Sequence, residues 1–151
     1  MTTLALPYPK LAKGRFVSIE AYSDEALFEA TGVRIAFTCR SGGVSSGAYA
    51  SLNLGTHVDD CRSKVEENRR RVLQGLATPN TCLLVPNQVH GDVVATLDSS
   101  ADLSQISRDI EKGADGLVID EPDVAALLCY ADCVPVILVS PTGCFAVVHA
   151  G

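Results

Sequence analysis

Hydrophobic and polar positions in the first half of the chain predict one strand and one long helix. Residues 33–38 alternate between apolar and polar side chains with period two, which is typical of a half-buried strand. A helix is predicted to begin at a cap, Asp60 or Ser63, and to continue to about Leu76. Four apolar residues would share one face of that helix: Val65, Val72, Leu73 and Leu76.

After Pro79 the pattern changes to short apolar segments that are typical of strands. These segments cover residues 81–85, 93–96, 116–119, 124–130, 134–139 and 144–148. A weaker helical pattern covers residues 104–111. Several strands with one strong helix and no regular βα alternation favour an α+β fold with a mixed β-sheet over a doubly wound parallel sheet.

Length and composition favour one domain over the whole chain. With 151 residues, 47% of them hydrophobic, the sequence can bury a sizeable core. We therefore expect a single domain over residues 1–151, in which residues 1–32 form a loosely patterned lead-in with a short strand and a helical turn near residues 23–30. The mean hydropathy of +0.21 suggests apolar surface that meets another segment or chain, so self-association through a sheet edge or apolar surface is expected.

The net charge argues against one class of partner, the nucleic acids. A formal charge of −6 argues against a nucleic-acid partner, because binding to a phosphate backbone depends on clustered Lys and Arg. No run of about 18 apolar residues is present, so no membrane-spanning helix is expected. The first residues also lack the apolar segment of a secretory signal, and we expect a cytoplasmic protein.

A turn sequence at residues 140–143, Ser-Pro-Thr-Gly, lies between two strand patterns and predicts a β-hairpin. If Val139 pairs with Cys144, then Cys133 lies one position away from the residue opposite His149. A three-residue loop would instead place Cys133 directly opposite His149. The sequence leaves both registers open, and in either one Cys133 and His149 meet at the open end of the hairpin.

A thiol beside an imidazole has three interpretations. Cys133 and His149 could bind zinc, they could act as nucleophile and base, or they could simply end two strands. His90, in a Gly-flanked loop after the strand at residues 81–85, is a candidate third ligand, and His57 competes for that role. Three protein ligands with an open fourth position are typical of catalytic zinc.

Seven short motifs occur in order over residues 33–151, each weak alone and specific together. They are Thr38-Cys39-Arg40-Ser41-Gly42-Gly43-Val44-Ser45, Ser51-Leu52-Asn53-Leu54-Gly55, Glu67-Asn68-Arg69, Gln88-Val89-His90-Gly91, Ala114-Asp115-Gly116, Ala131-Asp132-Cys133-Val134-Pro135 and Val148-His149-Ala150-Gly151. This set resembles the YfiH/laccase-domain family of purine nucleoside phosphorylases, formerly described as multicopper polyphenol oxidases. The lead-in is not covered by the resemblance.

The resemblance implies a mixed α/β sandwich with a catalytic zinc held by His90, Cys133 and His149. Similar enzymes split inosine, adenosine and methylthioadenosine with phosphate and also deaminate adenosine, so purine nucleoside and phosphate are the expected ligands. Copper is the alternative metal, because copper binds nitrogen and sulfur ligands more tightly than zinc does. Laccase activity is not expected, because three histidines are too few for a multi-copper cluster.

Four further residues are expected to serve this site. Arg40 and the glycine-rich backbone after it are candidate phosphate or substrate contacts, and Asn53 and Gln88 are candidate polar lining. Asp132 is expected to orient the neighbouring ligand. Catalytic roles are thus assigned to Cys133, Arg40 and Asp132.

The resemblance also predicts what is missing. Similar proteins continue beyond His149-Ala150-Gly151 with another helix and more sheet, so the C-terminal part of the family domain is expected to be absent here. Two alternatives to a zinc phosphorylase follow. One is a metal-independent hydrolase or deamidase with Cys133 as nucleophile and His149 as base. The other is an inactive metal-binding fragment.

Overall fold

The computed structural model of the chain describes residues 5–151, and residues 1–4 of the predicted lead-in lie outside that range. The chain forms two compact units. The first unit comprises Pro7–Glu29 and Arg34–Asn80, and the second is built on Thr81–Gly151 with Ala30–Val33. Three α-helices and three sheets, one of them mixed, confirm the predicted α+β class within residues 5–151. The single family domain over residues 1–151 stays a prediction.

The first unit contains an antiparallel three-stranded sheet. Strands β1 (Ala12–Phe16), β2 (Ile19–Ser23) and β3 (Phe37–Thr38) lie in that order. Helix α1 (Glu25–Thr31) follows β2, and helix α2 (Arg62–Gly75) packs on β2. A small core joins these elements through Ile19, Leu52 and Val72.

The lead-in is more regular than its sequence predicted. Residues 1–32 were expected to hold one short strand, yet β1 and β2 form a five-pair hairpin there. The sequence of β1, AKGRF, is polar and mostly exposed, so it carries little hydrophobic pattern. The strand predicted at residues 33–38 shrinks to β3, because the carbonyl oxygen of Ile35 accepts a hydrogen bond from the Ser23 hydroxyl at 2.8 Å.

Helix α2 confirms the predicted long helix but begins and packs differently. Its N-cap residue is Cys61, without a side-chain capping bond, whereas Asp60 or Ser63 was expected. Its buried face consists of Val65, Asn68 and Val72. Asn68 is fully buried because its amide binds the neighbouring loops, a role that apolar periodicity cannot predict.

The second unit contains a four-stranded mixed sheet with the order β5-β6-β9-β8. Its strands are β5 (Val94–Leu97), β6 (Gly116–Ile119), β8 (Val134–Val139) and β9 (Phe145–Ala150). Strands β4 (Cys82–Leu84) and β7 (Val124–Ala126) form a parallel pair, and helix α3 (Leu103–Lys112) packs on β5. The buried core of this unit consists of Leu84, Leu97, Ile110, Ala114, Leu117, Ile119 and Val147.

The β8–β9 hairpin has neither of the two predicted registers. Val139 pairs with Phe145, and Pro135 pairs with His149. The connection is therefore the whole segment 140–144, closed by a bond from the Ser140 N–H to the Cys144 carbonyl oxygen at 2.8 Å. Gly143 adopts a φ of +91°, which a glycine accommodates without strain. The longer loop shifts the register by one or two residues.

No helix within residues 5–151 is long and apolar enough to cross a membrane.

Candidate metal centre

Three side chains of the second unit converge at one end of its mixed sheet. His90 lies in the loop between β4 and β5, Cys133 immediately precedes β8, and His149 lies in β9. Their ligand atoms all lie within 4.8 Å of one another. Cys133 Sγ is 3.7 Å from His90 Nε2, and the two imidazole rings meet edge to face at 4.6 Å.

The donor set and spacing fit a tetrahedral metal. Zinc bound at about 2.3 Å to sulfur and about 2.0 Å to nitrogen separates the two ligand atoms by about 3.5 Å. The separation of 3.7 Å between Cys133 Sγ and His90 Nε2 is close to that value. His149 is buried, Cys133 is half-buried and His90 is exposed, so the cluster opens to solvent on the His90 side. Three ligands with one accessible side leave room for a fourth.

The Asp115 carboxylate accepts hydrogen bonds from both histidines of this cluster. Its Oδ1 accepts hydrogen bonds from His149 Nδ1 at 2.7 Å and from the His90 N–H at 3.0 Å. Its Oδ2 accepts from the Gly91 N–H at 2.7 Å and the Val89 N–H at 3.2 Å. The side chains of Asp115 and His149 are only 3% and 4% exposed, so water does not compete for these bonds.

These bonds control the charge of Asp115. Burial alone would raise its pKa, but the hydrogen bonds from His149 and the three backbone N–H groups outweigh that effect. The pKa of Asp115 is lowered to about 2, so the carboxylate is ionised at neutral pH.

The pKa of the Cys133 thiol is shifted in the opposite direction, upward. Burial raises the pKa of Cys133, and the negative charge of Asp132 raises it further. The thiol donates to Asp132 Oδ1 over a long 3.8 Å contact. Without a cation at the cluster, these surroundings favour the neutral thiol over the thiolate.

The remaining predicted site residues have defined positions in their own units. The Arg40 guanidinium donates to the Ala50 carbonyl oxygen at 2.7 Å, and the Asn53 amide donates to Asp60 Oδ2 at 2.9 Å. Both belong to the first unit, as does His57, whose ring lies against Gly55. Gln88 is in the second unit and binds the backbone of Cys129. The roles assigned to Arg40, Asn53, Gln88 and Asp132 stay predictions.

Two further residues border the cluster, and the motif pattern assigned neither of them a role. The Tyr130 ring meets His149 edge-on at 5.7 Å, and its hydroxyl donates to the Val148 carbonyl oxygen at 3.1 Å. Burial raises the pKa of Tyr130 to about 12, which keeps that hydroxyl protonated. A Cβ atom on Gly151 would lie 2.8 Å from the His90 ring and 3.0 Å from Cys133 Sγ. A side chain at this position would displace His90 or Cys133.

A sequence model of the family described as multi-copper polyphenol oxidoreductase laccase matches residues 34–151. The chain belongs to this laccase family. That match confirms the resemblance inferred from the seven motifs. In this family, the chain is 42% identical over 118 residues to purine nucleoside phosphorylase YlmD of Geobacillus stearothermophilus, covering 76% of this chain and 43% of the relative. It is also 42% identical over 120 residues to purine nucleoside phosphorylase PA4543 of Pseudomonas aeruginosa, covering 79% and 45%.

Solved structures of laccase-family proteins have the same fold. The crystal structure of YlmD from Geobacillus stearothermophilus matches with a TM-score of 0.65 and 32% identity, over 95% of this chain and 52% of that one. The hypothetical protein YfiH from Bacillus licheniformis matches with a TM-score of 0.71 and 30% identity, over 89% and 49%. The chain therefore spans about half the length of the relatives it matches.

Proposed function

We propose that this chain carries the zinc centre of a purine nucleoside phosphorylase acting on inosine, adenosine or methylthioadenosine with phosphate. The observation that carries the proposal is the convergence of His90, Cys133 and His149 around one accessible position. The relatives YlmD and PA4543 are both named purine nucleoside phosphorylases, and this supplies the reaction class. We place the protein in the cytoplasm.

This set of three ligands fits a single zinc ion better than a multi-copper cluster. Two imidazoles and one thiolate form the mixed nitrogen and sulfur ligand set of many zinc enzymes. The chain has three histidines in total, and one of them, His57, lies in the first unit. A single copper ion is the competing occupant.

When bound, zinc supplies a Lewis acid at the accessible position. Asp115 accepts the hydrogen bond from His149 Nδ1 and so orients that ligand. Arg40, a residue of the first unit, is the proposed contact of the phosphate. Adenosine deamination at the same centre is part of the proposal, because the same Lewis acid can serve attack at the purine ring.

The surroundings of Cys133 argue against a metal-independent hydrolase. A nucleophilic cysteine needs a lowered pKa, whereas burial and Asp132 raise the pKa of this thiol. The imidazole nitrogen at 3.7 Å from Cys133 Sγ belongs to His90. The hydrolase hypothesis instead assigned the role of base to His149.

The test is phosphate-dependent release of the purine base from inosine by the 151-residue chain. Chelation should abolish release, and added zinc should restore it. Cys133→Ser should be inactive, while Cys144→Ser, a cysteine of the same unit outside the cluster, should retain activity. Turnover that survives chelation but not thiol alkylation would identify the cysteine hydrolase instead. A folded chain that binds zinc without turnover would identify the inactive metal-binding fragment.

Self-association is proposed through β8. This strand ends the order β5-β6-β9-β8, so one edge of it is unpaired within residues 5–151. Val134 and Leu138 on β8 are 60% and 61% exposed. Apolar edge strands tend to pair with other chains. Sedimentation velocity should show oligomers that Leu138→Lys reduces, and unchanged oligomers would rule out this edge.

A further inference from the structure

One buried carboxylate contacts both histidines of the candidate metal centre. Asp115 Oδ1 accepts from the side chain of His149 and the backbone of His90, and Oδ2 accepts from Val89 and Gly91. All four contacts are 3.2 Å or shorter. Both oxygens therefore accept hydrogen bonds, and the donors belong to β9 and to the loop between β4 and β5.

The first consequence concerns the tautomer of His149. Both Asp115 oxygens already accept backbone N–H bonds, Oδ1 from His90, so the His149 nitrogen that faces Oδ1 acts as a donor and carries the proton. That nitrogen is Nδ1, at 2.7 Å. A neutral imidazole with its proton on Nδ1 has its lone pair on Nε2, the atom left to bind a metal. The contact with Asp115 therefore sets the tautomer of His149.

The second consequence concerns the backbone of His90. This residue has a φ of +59°, a left-handed conformation that is uncommon for residues other than glycine. The three consecutive N–H groups of Val89, His90 and Gly91 all point at the Asp115 carboxylate. These charge-assisted bonds hold the loop in the conformation that brings His90 Nε2 to 3.7 Å from Cys133 Sγ.

The strand ladder holds Asp115 in place. Gly116, the first residue of β6, pairs with Val148 of β9. The His149 N–H donates to the backbone oxygen of Asp115 at 2.7 Å. Asp115 and His149 are thus joined through both backbone and side chain, so their relative position cannot drift without breaking the sheet.

We propose that Asp115 is the positioning residue of the centre: through its two oxygens it sets the tautomer of His149 and the backbone of His90, so that the protein itself orients both ligands toward the metal position. This inference rests on the proposed zinc centre. It explains why the Ala114-Asp115-Gly116 motif lies next to the ligands without containing one.

The isosteric change Asp115→Asn gives a specific prediction, because an amide has one oxygen and one NH2 group. If the NH2 group replaces Oδ2, it faces the donors of Val89 and Gly91. If it replaces Oδ1, it faces the His90 N–H and donates to His149 Nδ1, which forces the proton to Nε2. The first arrangement disrupts the His90 loop, and the second blocks the metal-binding nitrogen of His149.

The experiment is ¹⁵N NMR of the imidazole rings in metal-free protein in mildly alkaline buffer, together with zinc affinity from competition with a chelator. The chain has three histidines, so His57→Gln and His90→Gln assign the signals. Wild type should show the Nδ1–H tautomer for His149. In Asp115→Asn, the tautomer should change or the Val89–Gly91 amides should lose protection from exchange, and zinc affinity should fall about 10- to 100-fold.

Asp98→Asn is the matched control. Asp98 belongs to the same unit and accepts hydrogen bonds from Ser100, with no contact to either histidine, so its tautomer and affinity values should equal those of wild type. An Nε2–H tautomer for His149 in metal-free wild type would overturn the inference even if Asp115→Asn fails to fold. A folded Asp115→Asn with unchanged tautomer, exchange and affinity would overturn it as well. Absence of phosphorolysis with the expected tautomer and affinity would refute the proposed reaction and leave the role of Asp115 standing.

Discussion

The side chain of Gln88 forms a reciprocal pair of hydrogen bonds with the backbone of Cys129. Its Nε2 donates to the Cys129 carbonyl oxygen at 2.8 Å, and its Oε1 accepts from the Cys129 N–H at 2.7 Å. The pair spans 41 residues and ties the loop that carries His90 to the segment after β7. Gln88 therefore has a structural role beside the substrate contact predicted from the sequence.

Gln88→Ala should destabilise the protein. The variant loses two partly buried hydrogen bonds to the Cys129 backbone, each worth about 0.5–1.5 kcal/mol. Denaturant unfolding measures the loss, with the exposed Gln74→Ala on α2 as a control expected to change stability by about 0.5 kcal/mol or less. Unchanged stability together with a raised KM for nucleoside would show that Gln88 acts on the substrate instead.

The sequence predicted some apolar strands to the residue and missed elements that depend on contacts. Strands β6 and β8 have the predicted bounds, whereas the apolar segment predicted as a strand at residues 124–130 forms only β7. Strand β1 was missed because AKGRF is polar and exposed. The hairpin register was wrong because loop length depends on the backbone of residues 140–144, which composition does not specify.

In the candidate site, too, the sequence identified some of the residues and missed one that depends on a long-range contact. The motif pattern singled out His90, Cys133 and His149, which the structure brings together. It assigned the orientation of the neighbouring ligand to Asp132, which stays a prediction, and it assigned no role to Asp115, whose carboxylate contacts the His149 ring. Asp115 is 34 residues from His149, so only the pairing of β6 with β9 reveals the contact. The acidic residue in Ala114-Asp115-Gly116 was the one available signal.

Gly151→Ala should weaken metal binding. The added methyl group would lie 3.0 Å from Cys133 Sγ and 2.8 Å from the His90 ring, closer than side chains normally approach. We expect a lower zinc content per chain, measured by elemental analysis after dialysis. Asp98→Asn is the control, because Asp98 belongs to the same unit and its carboxylate accepts hydrogen bonds from Ser100. Equal zinc content in the two variants would contradict the crowding described for residue 151.

Asn68→Ala should destabilise the first unit strongly. The fully buried Asn68 amide accepts from the Val44 N–H at 2.8 Å and donates to Ser45 Oγ and the Asn53 carbonyl oxygen at 2.9 and 2.8 Å. Leaving such groups unsatisfied costs about 1–3 kcal/mol each. Urea unfolding should therefore show a loss well above that of Glu66→Ala on the same helix, which removes only an exposed ion pair worth about 0.5 kcal/mol. Similar losses in both variants would contradict this anchoring role.

Asp24 should make stability depend on pH. Hydrogen bonds from the N–H groups of Lys10 and Leu27 lower the pKa of this buried carboxyl. A lowered folded-state pKa stabilises the protein above the unfolded value of about 4, and this stabilisation is lost as pH falls through the folded-state pKa. Unfolding free energy measured from about pH 6 to pH 3 should fall less steeply in Asp24→Asn than in wild type. Parallel curves would show that Asp24 does not contribute.

The zinc assignment is tested most directly by elemental analysis of the metal content of the purified chain, wild type against Cys133→Ser. We expect about one zinc per chain in wild type, since the three ligands form a single site. Cys133→Ser should lose that zinc, and Cys144→Ser should retain it fully. A folded wild-type chain that binds no zinc when zinc is supplied, or a Cys133→Ser variant that keeps it, would contradict the assignment of His90, Cys133 and His149 as the metal centre.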